Sequence, residues 1–418
     1  MSATIDHLSP ELIAIVAEYL GCQDLLNFRL SVRYLRDCSL TLFTNRFFRE
    51  RVHLLSRNSL LALLEISRHS FFGLSMHTVV ISPDHVIPDQ LRDGPRSLPY
   101  WYWGHHSPTT VDGRGYKKHL AEQEYLRITG LDTAYLTQIL KNASNCREIF
   151  LDDGSRPWGA TAIKRETGLY PSSNTESDYS KNYFKRAVHV LIAAMTASEA
   201  PITTLAMDNG IERVHVHPSM LVFPVSYLDH VPWVATLTTL QLTLDPGYGD
   251  VARDWSKCLA DFIMLFPQLK CLDLHFDTRV EQHLFSALSQ TLELPCLQTL
   301  KLAGVDCLPE DLSRVFNSHQ RSLQEISLDV IGISTSTGGS WQTLLSEIRS
   351  RLQLKRLQVM QCDTDGHDIC FEEDGVDPSN IIDVVGEDPR LLDRLIEGIS
   401  IRKWTSRCND KTFVIDTI

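Results

Sequence analysis

The chain has 418 residues, of which 43% are hydrophobic and 22% are charged, and its formal net charge is -12 at pH 7. This length exceeds one ordinary core, so we expect two or three folded units, or an elongated array whose segments pack on their neighbours. The acidic balance argues against non-specific nucleic-acid binding, because phosphate contacts require clustered Lys and Arg and no such run is present. We therefore predict no nucleic-acid partner.

The first residues suggest neither export nor membrane attachment. They lack the basic segment and the continuous apolar segment of a signal peptide. No stretch approaches the roughly 18 consecutive apolar residues that a membrane-spanning helix needs. We expect a protein of the cytoplasm, the nucleus or both, with no membrane partner.

Ten cysteines are scattered along the chain without a Cys-x-x-Cys pair and without the spacing of a disulfide framework. We expect reduced thiols that mostly fill the core. A structural zinc site is not expected, because zinc ligands usually come in close pairs. His215 and His217 come nearest to a metal pair, but no third ligand accompanies them, and we expect a packing or surface role. The sequence thus predicts neither a metal nor another cofactor.

The first structural signals in chain order predict two short helices. Ser9 is a candidate N-cap, Pro10 suits the first helical position, and Glu11 favours the positive end of the helix dipole. Apolar residues then recur at helical spacing until Gly21, and Asp24 is a candidate cap for a second helix with its own apolar face. Two short helices cannot enclose this much apolar surface. The excess packs either against later parts of the chain or against the helices of another protein.

The same residues carry a resemblance to a known family. The matching runs are Leu8-Ser-Pro-Glu-Leu-Ile-Ala-Ile-Val-Ala-Glu-Tyr-Leu20, Gln23-Asp-Leu-Leu26 and Arg29-Leu-Ser-Val-Arg-Tyr-Leu-Arg36. They resemble the F-box, whose pattern is Leu-Pro-x-Glu-hydrophobic, an aromatic-Leu helix end, Asp-Leu, and a Val-Cys-Arg-like stretch over three helices. The sequence departs at Ser9, where the family usually has Pro, and at Val32, where Cys is frequent. Residues 41–51 and 64–73 are similar to the segments that follow the box in F-box proteins of filamentous fungi.

This resemblance implies a function. F-box proteins bind a SKP-type adaptor and so join an SCF-type cullin-RING ubiquitin ligase, while the rest of the chain selects a protein substrate. The residues that the resemblance assigns to the adaptor contact are Leu8, Pro10, Glu11, Leu12, Ile15, Val16, Leu20, Leu25, Leu30 and Val32. Some of these must instead hold the three helices together, and the sequence does not divide the two groups.

A second, independent signal is the recurrence of Leu-x-x-Leu-x-Leu along the chain. The copies begin at Leu237, Leu269, Leu297, Leu323 and Leu354, separated by 26 to 32 residues, with weaker copies at Met76, Cys146 and Ile202. Such periodicity is typical of leucine-rich repeats, in which each unit gives one strand and a returning helix. Helical patterns do lie between the copies, over 250–266, 280–292, 309–316 and 341–352. We predict an α/β fold: a three-helix F-box followed by an irregular leucine-rich-repeat solenoid, with parallel strands on the concave side and helices on the convex side.

Residues between the repeated leucines should line the concave face, because strand side chains alternate between faces. These residues are Gln241, Thr243, Asp273, His275, Lys301, Asp329, Gln358 and Met360. Four consecutive aromatics, including Trp101 and Trp103, stand in a Pro- and Gly-rich stretch. If exposed they would anchor a substrate protein, and if folded back they would plug the end of the array.

These signals divide the chain into five regions. They are an F-box helical module (1–55), a helical linker (56–75), a repeat region (76–360) with insertions at 83–116 and 152–180, an acidic and poorly ordered segment (361–389), and a C-terminal helix and tail (390–418). No phosphate-binding loop, nucleophile elbow or His-Glu-x-x-His motif is present. We therefore predict a substrate-recognition adaptor rather than an enzyme. The alternatives are a repeat scaffold that does not promote degradation and, less favoured, an intracellular hydrolase.

Overall fold

In a computed structural model the chain folds as an α/β protein built largely on parallel strands. The structure describes residues 5, 8–88, 112–152, 156–173, 177–208, 215–223, 231–246, 255–280, 282–334, 340–371, 381–385, 399–402 and 415–416. The chain forms two compact units: residues 1–173 with 190–200, and residues 174–189 with 201–418.

The first unit begins with four short helices and continues as strands alternating with helices. The helices are α1 (Pro10–Glu18), α2 (Cys22–Ser31), α3 (Arg33–Cys38), α4 (Leu40–Phe48), α5 (Arg57–Arg68), α6 (Phe72–Ser75), α7 (Gly113–Thr129), α8 (Leu131–Asn142) and α9 (Ala160–Thr167). The strands are β1 (Glu50–Leu54), β2 (Thr78–Ser82) and β3 (Glu148–Asp152). The three strands are parallel and lie in chain order. Helix α10 (Asp178–Ser198) contributes residues to both units.

The second unit continues the alternation of strand and helix. Its strands are β4 (Thr204–Asp208), β5 (Thr239–Leu244), β6 (Cys271–Val280), β7 (Thr299–Cys307), β8 (Glu325–Ile333), β9 (Arg356–Met360), β10 (Asp363–Thr364), β11 (His367–Phe371), β12 (Ile381–Val385), β13 (Ile399–Arg402) and β14 (Ile415–Asp416). Its other helices are α11 (Pro232–Thr236), α12 (Trp255–Ile263), α13 (Gln282–Ser289), α14 (Pro309–Ser318) and α15 (Trp341–Arg351), with a short 3-10 helix at Pro218–Leu221. Strands β4 to β9 are parallel and follow chain order, and antiparallel strands complete the sheet.

The repeated leucines form buried rows that cross these parallel strands. One row is Leu205, Leu240, Leu272, Leu300, Ile326 and Leu357, and the next is Met207, Leu242, Leu274, Leu302, Leu328 and Val359. Every member of both rows is at most 2% exposed. The predicted α/β class, with mostly parallel strands, is therefore confirmed.

The structure differs from expectation at the start of the sheet. Residues 1–55 were expected to be helical and 56–75 a linker, yet β1 pairs with β2, and α5 and α6 connect the two strands. The sheet thus begins at Glu50 and not at residue 76. Strand β1 was not predicted because it lacks the aliphatic residues that mark the later strands. Arg51 and His53 occupy the positions that pair with the buried Val79 and Ile81 of β2.

The two predicted insertions contain regular structure where they are described. Residues 89–111, with Trp101 and Trp103, lie outside the described residues, while α7 begins at Gly113. The second insertion contains α9, and its Trp158 N–H donates to the Val52 carbonyl over 2.9 Å. Ser59 Oγ in turn donates to the Trp158 carbonyl over 2.8 Å. This segment therefore covers the edge of β1, which would otherwise present unpaired backbone groups.

The C-terminal region also differs from expectation. Strands β10, β11 and β12 stand within the stretch expected to be poorly ordered, and β13 stands within the predicted C-terminal helix. Asp365 and Gly366 form the two-residue turn between β10 and β11, both at positive φ (48° and 79°), as in a type I′ turn. Asp-Gly is a common hairpin turn sequence, but the prediction of poor order followed the acidic composition of the segment. No described helix has the length and apolar character needed to cross a membrane.

Gly304 has a positive φ of 73° in β7, and a Cβ there would lie 2.2 Å from the Phe276 carbonyl oxygen. We expect Gly304→Ala to lower the free energy of unfolding by about 2 to 4 kcal/mol, because it adds a backbone clash to left-handed strain. Urea unfolding at equilibrium measures this loss. Gly366→Ala is the matched control: its φ is 79° and nothing lies within 4 Å of the added Cβ, so it should cost only about 1 kcal/mol. Equal losses of unfolding free energy in the two variants would show that contact with the Phe276 carbonyl oxygen does not destabilise Gly304→Ala.

Candidate interaction surfaces

The first three N-terminal helices share a small apolar core. Ile13 and Ala17 of α1, Leu25 of α2 and Leu35 of α3 are at most 2% exposed. Leu25, one of the residues assigned to the adaptor contact, is fully buried and therefore belongs to this core rather than to a contact surface. These few side chains are the ones that join the helices.

The remaining apolar side chains of these helices are exposed. Of the sixteen large apolar side chains exposed in the described part of the chain, eight lie between residues 5 and 34. They form what we call the helical apolar surface: Ile5, Leu12, Ile15, Val16, Tyr19, Leu30, Val32 and Tyr34. Tyr19 is 87% exposed and Leu30 84%, so no described part of the chain covers them. Apolar exposure concentrated in one module is typical of a protein-protein contact.

Most residues assigned to the adaptor contact lie on this surface or beside it. Leu12, Ile15, Val16, Leu30 and Val32 are members, Pro10 and Glu11 are also exposed, and Leu8 and Leu20 are half-buried.

Ile5, Tyr19 and Tyr34 belong to this surface but were not assigned to the adaptor contact from the sequence. Tyr19 lies four residues after Ile15, on the same side of the chain's first helix. The Tyr34 hydroxyl donates to the Leu8 carbonyl over 3.1 Å, which fixes its ring beside the start of α1.

Polar contacts position the helices and leave this surface free. Arg46 caps the end of α1, donating to the carbonyls of Leu20 over 2.6 Å and Glu18 over 3.2 Å. Arg29 donates to the Arg36 carbonyl over 2.7 Å, and its guanidinium lies 4.0 Å from the centre of the Phe43 ring. The expected Ser9 cap is absent: Ser9 is the N-cap residue, but its side chain makes no capping hydrogen bond. Hydrogen bonds from the Glu11 backbone N–H and, to a smaller extent, from the Ser9 side chain lower the pKa of the exposed Glu11 carboxyl.

The second candidate is the face of the parallel sheet opposite the leucine rows, which we call the polar sheet face. One transverse row on it is Gln241, Asp273, Lys301, Ser327 and Gln358, and the next is Thr243, His275, Ala303, Asp329 and Met360. The structure thus brings together, in two adjacent rows, all eight strand residues predicted to lie on the face opposite the leucines. Lys301 Nζ lies 3.4 Å from Asp273 Oδ2, and Ser327 Oγ donates to Gln358 Oε1 over 3.1 Å.

A charged cluster beside this face was not foreseen. Arg279 Nη2 lies 2.5 Å from Oδ2 of the buried Asp363, and its Nη1 lies 3.3 Å from Asp306 Oδ1. Burial raises the pKa of Asp306, although the nearby Arg279 opposes the shift. Asp363 Oδ1 also accepts the Gly366 N–H over 3.0 Å. The cluster ties the hairpin of β10 and β11 to β6 and β7. Asp363 thereby holds the turn formed by Asp365 and Gly366.

The histidine pair has structural contacts. His217 Nδ1 accepts the Ser219 N–H over 3.2 Å, and its Nε2 lies 3.0 Å from the Pro246 carbonyl oxygen. His215 is buried, with Nε2 3.5 Å from Asp277 Oδ1. Among the described residues, no group of three or more His, Cys, Asp or Glu side chains could hold a metal ion.

No protein-family model matches the chain, and no curated protein matches it.

Proposed function

We propose that this protein is the substrate-recognition adaptor of an SCF-type cullin-RING ubiquitin ligase. The observation that carries the proposal is the helical apolar surface, whose side chains stay exposed although the helices beneath them have their own core. The resemblance of residues 8–36 to the F-box supplies the partner, a SKP-type adaptor that offers helices of its own. A helix surface with exposed Leu, Ile, Val and Tyr suits such a partner, because docking removes this apolar area from water.

The second half of the proposal concerns the strands and helices that follow the N-terminal helices. We infer that the strands and helices from Glu50 onward are an irregular leucine-rich-repeat solenoid, with the strands on its concave side and the helices on its convex side. The repeat consensus, L-x-x-L-x-L-x-x-N/C-x-L, fits Leu354, Leu357, Val359 and Cys362 in spacing. In such a solenoid the polar sheet face is the concave surface, and it would hold the protein substrate.

The proposed activity needs no reaction at this chain's own residues. Holding the substrate in the same complex as the ubiquitin-transferring enzyme makes their encounter intramolecular and raises its effective concentration. The N-terminal helices would attach the protein to the adaptor, and the polar sheet face would select the substrate. The proposal places the protein in the cytoplasm, the nucleus or both, in a filamentous fungus.

Reconstitution with purified components tests the proposal. The full-length protein is co-expressed with a filamentous-fungal SKP-type adaptor, and a cullin is added before size-exclusion chromatography. We expect the three proteins to elute together in equal amounts. A chain that elutes without the adaptor would overturn the proposal. Binding of the adaptor without the cullin would indicate the alternative, a scaffold that does not promote degradation.

A further inference from the structure

Arginine takes the place of lysine throughout the N-terminal helices. The first lysine in the chain is Lys117, and eleven arginines precede it, six of them from Arg29 to Arg51. Arginine has a planar fork of N–H donors that matches the two oxygens of a carboxylate, and it is enriched in protein-protein contacts. This choice of cation suits a partner that offers carboxylates.

Three of these six arginines have a structural role. Arg29, Arg46 and Arg51 each donate to a backbone carbonyl between residues 20 and 47, and so help to hold the helices together. Arg33 and Arg36 of α3 differ from them. In the described part of the chain, neither of these two side chains donates to a backbone carbonyl, so the fold of the helices does not account for them.

Arg33 and Arg36 share a single carboxylate, that of Asp37. The Arg36 Nε lies 3.2 Å from Asp37 Oδ1, and the Arg33 Nε lies 3.9 Å from Asp37 Oδ2. The Arg33 side chain is 85% exposed and that of Arg36 is 49% exposed. Burial lowers the pKa of the nearby Arg29, Arg36 lowers it further by repulsion, and Asp37 acts in the opposite direction. Positive charge therefore exceeds negative charge around α3.

This charge borders the helical apolar surface. Arg33 stands between Val32 and Tyr34, and both of these side chains belong to that surface. Leu35 of the same helix is buried, so α3 presents Arg33 and Tyr34 on its outer side. A partner that covers Val32 and Tyr34 comes within reach of the Arg33 guanidinium. Charges at the border of an apolar contact steer association and select the partner more than they add affinity.

We propose that Arg33 and Arg36 bind carboxylates of the SKP-type adaptor, so that the partner of the helical apolar surface is an apolar surface bordered by acidic side chains. This inference rests on the proposed function and adds the chemistry of the partner. Each guanidinium would donate two N–H groups to a carboxylate. The same charges would exclude partners with a basic border from an apolar surface that is otherwise unselective.

Association kinetics at different salt concentrations test the inference. The full-length protein is mixed with a filamentous-fungal SKP-type adaptor in stopped-flow experiments between about 50 and 500 mM NaCl. The test variant is Arg33→Gln with Arg36→Gln. We expect it to associate about tenfold more slowly than wild type at low salt and to lose most of the salt dependence.

The matched control is Arg68→Gln with Arg127→Gln. These arginines are 55% and 58% exposed, and each forms an ion pair with a glutamate three residues earlier in its helix. They lie outside α3, so the control should keep the association rate and the salt dependence of wild type.

Cross-linking identifies the groups that α3 meets. Arg33→Lys introduces a side-chain amine where the chain has none before Lys117, and a water-soluble carbodiimide couples an amine directly to a neighbouring carboxylate. We expect Arg33→Lys to keep the salt dependence and to give a cross-link to an Asp or Glu of the adaptor, located by mass spectrometry. Arg68→Lys is the control and should give no cross-link to the adaptor.

Two kinds of result would overturn the inference and leave the proposed function intact. One is adaptor binding by the Arg33 and Arg36 double variant with the rate and salt dependence of wild type or of the control. The other is adaptor binding by Arg33→Lys without a cross-link to an adaptor carboxylate. Wild-type protein that does not bind the adaptor at any salt concentration would refute the proposed function, and this inference with it.

Discussion

Leu12→Asp combined with Ile15→Asp is expected to abolish binding of the SKP-type adaptor and leave the protein folded. Leu12 is 49% exposed and Ile15 50%, so neither is needed for the core around Ile13 and Leu25. Docking would place both carboxylates in an apolar interface, where an unpaired charge is costly. We expect at least a 100-fold increase in Kd, about 3 kcal/mol or more, measured by isothermal titration calorimetry.

Ile128→Asp is the matched control. Ile128 is 70% exposed on α7 and lies outside the helical apolar surface. It introduces the same kind of charge at an exposed aliphatic position, so adaptor affinity should stay within twofold of wild type. Circular dichroism and urea unfolding should report the same fold for all three proteins. Unchanged adaptor binding by the double variant would contradict the assignment of this surface, and equal loss in Ile128→Asp would show that the effect is not local.

The part of the fold that could be predicted is the part in which one residue type repeats at a fixed spacing. In β5 to β8 the leucine positions face the core and the intervening residues face away. The alternation with a period of two therefore predicted both where the strands lie and which residues share each face of the sheet. Their helices followed from the 3.6-residue pattern between them. The same alternation predicts Asp273, Lys301 and Gln358 on one face, and the strand register places them in one row.

The features that were not predicted, such as β1 and the burial of Leu25, depend on contacts that the amino-acid pattern does not reveal. In β1 the inward positions carry Arg51 and His53, which are tolerated because Arg51 donates to the Phe47 carbonyl over 2.8 Å and His53 Nδ1 lies 3.0 Å from Ser59 Oγ. Such partners come from tertiary contacts and cannot be read from a strand pattern. Leu25 was placed on the adaptor surface for a related reason. An amphipathic helix in a small module has apolar residues on two faces, and only packing decides which one is buried.

Acidification is expected to destabilise the first unit because two of its histidines are buried and uncharged. Burial lowers the pKa of His53 to about 3, with Arg51 adding to the effect, and lowers that of His85 to about 4. In the unfolded chain both titrate near 6.5. Below pH 6.5 the unfolded state therefore binds protons that the folded state does not, and stability falls as the pH decreases towards 4. Above pH 6.5 the contribution is fully present.

With both histidines acting, the free energy of unfolding should fall by about 2 kcal/mol between pH 6 and pH 5. Hydrogen exchange of peptides covering β1 and β2 measures this locally. His53→Gln with His85→Gln, which cannot titrate, should flatten the dependence whatever its effect on absolute stability. His77→Gln, at an exposed position of the same unit, should leave the slope unchanged. A residue with a shifted pKa contributes to the pH dependence of stability only if it can bind a proton. A double variant in which unfolding free energy depends on pH as steeply as in wild type would therefore mean that other groups cause the acid sensitivity.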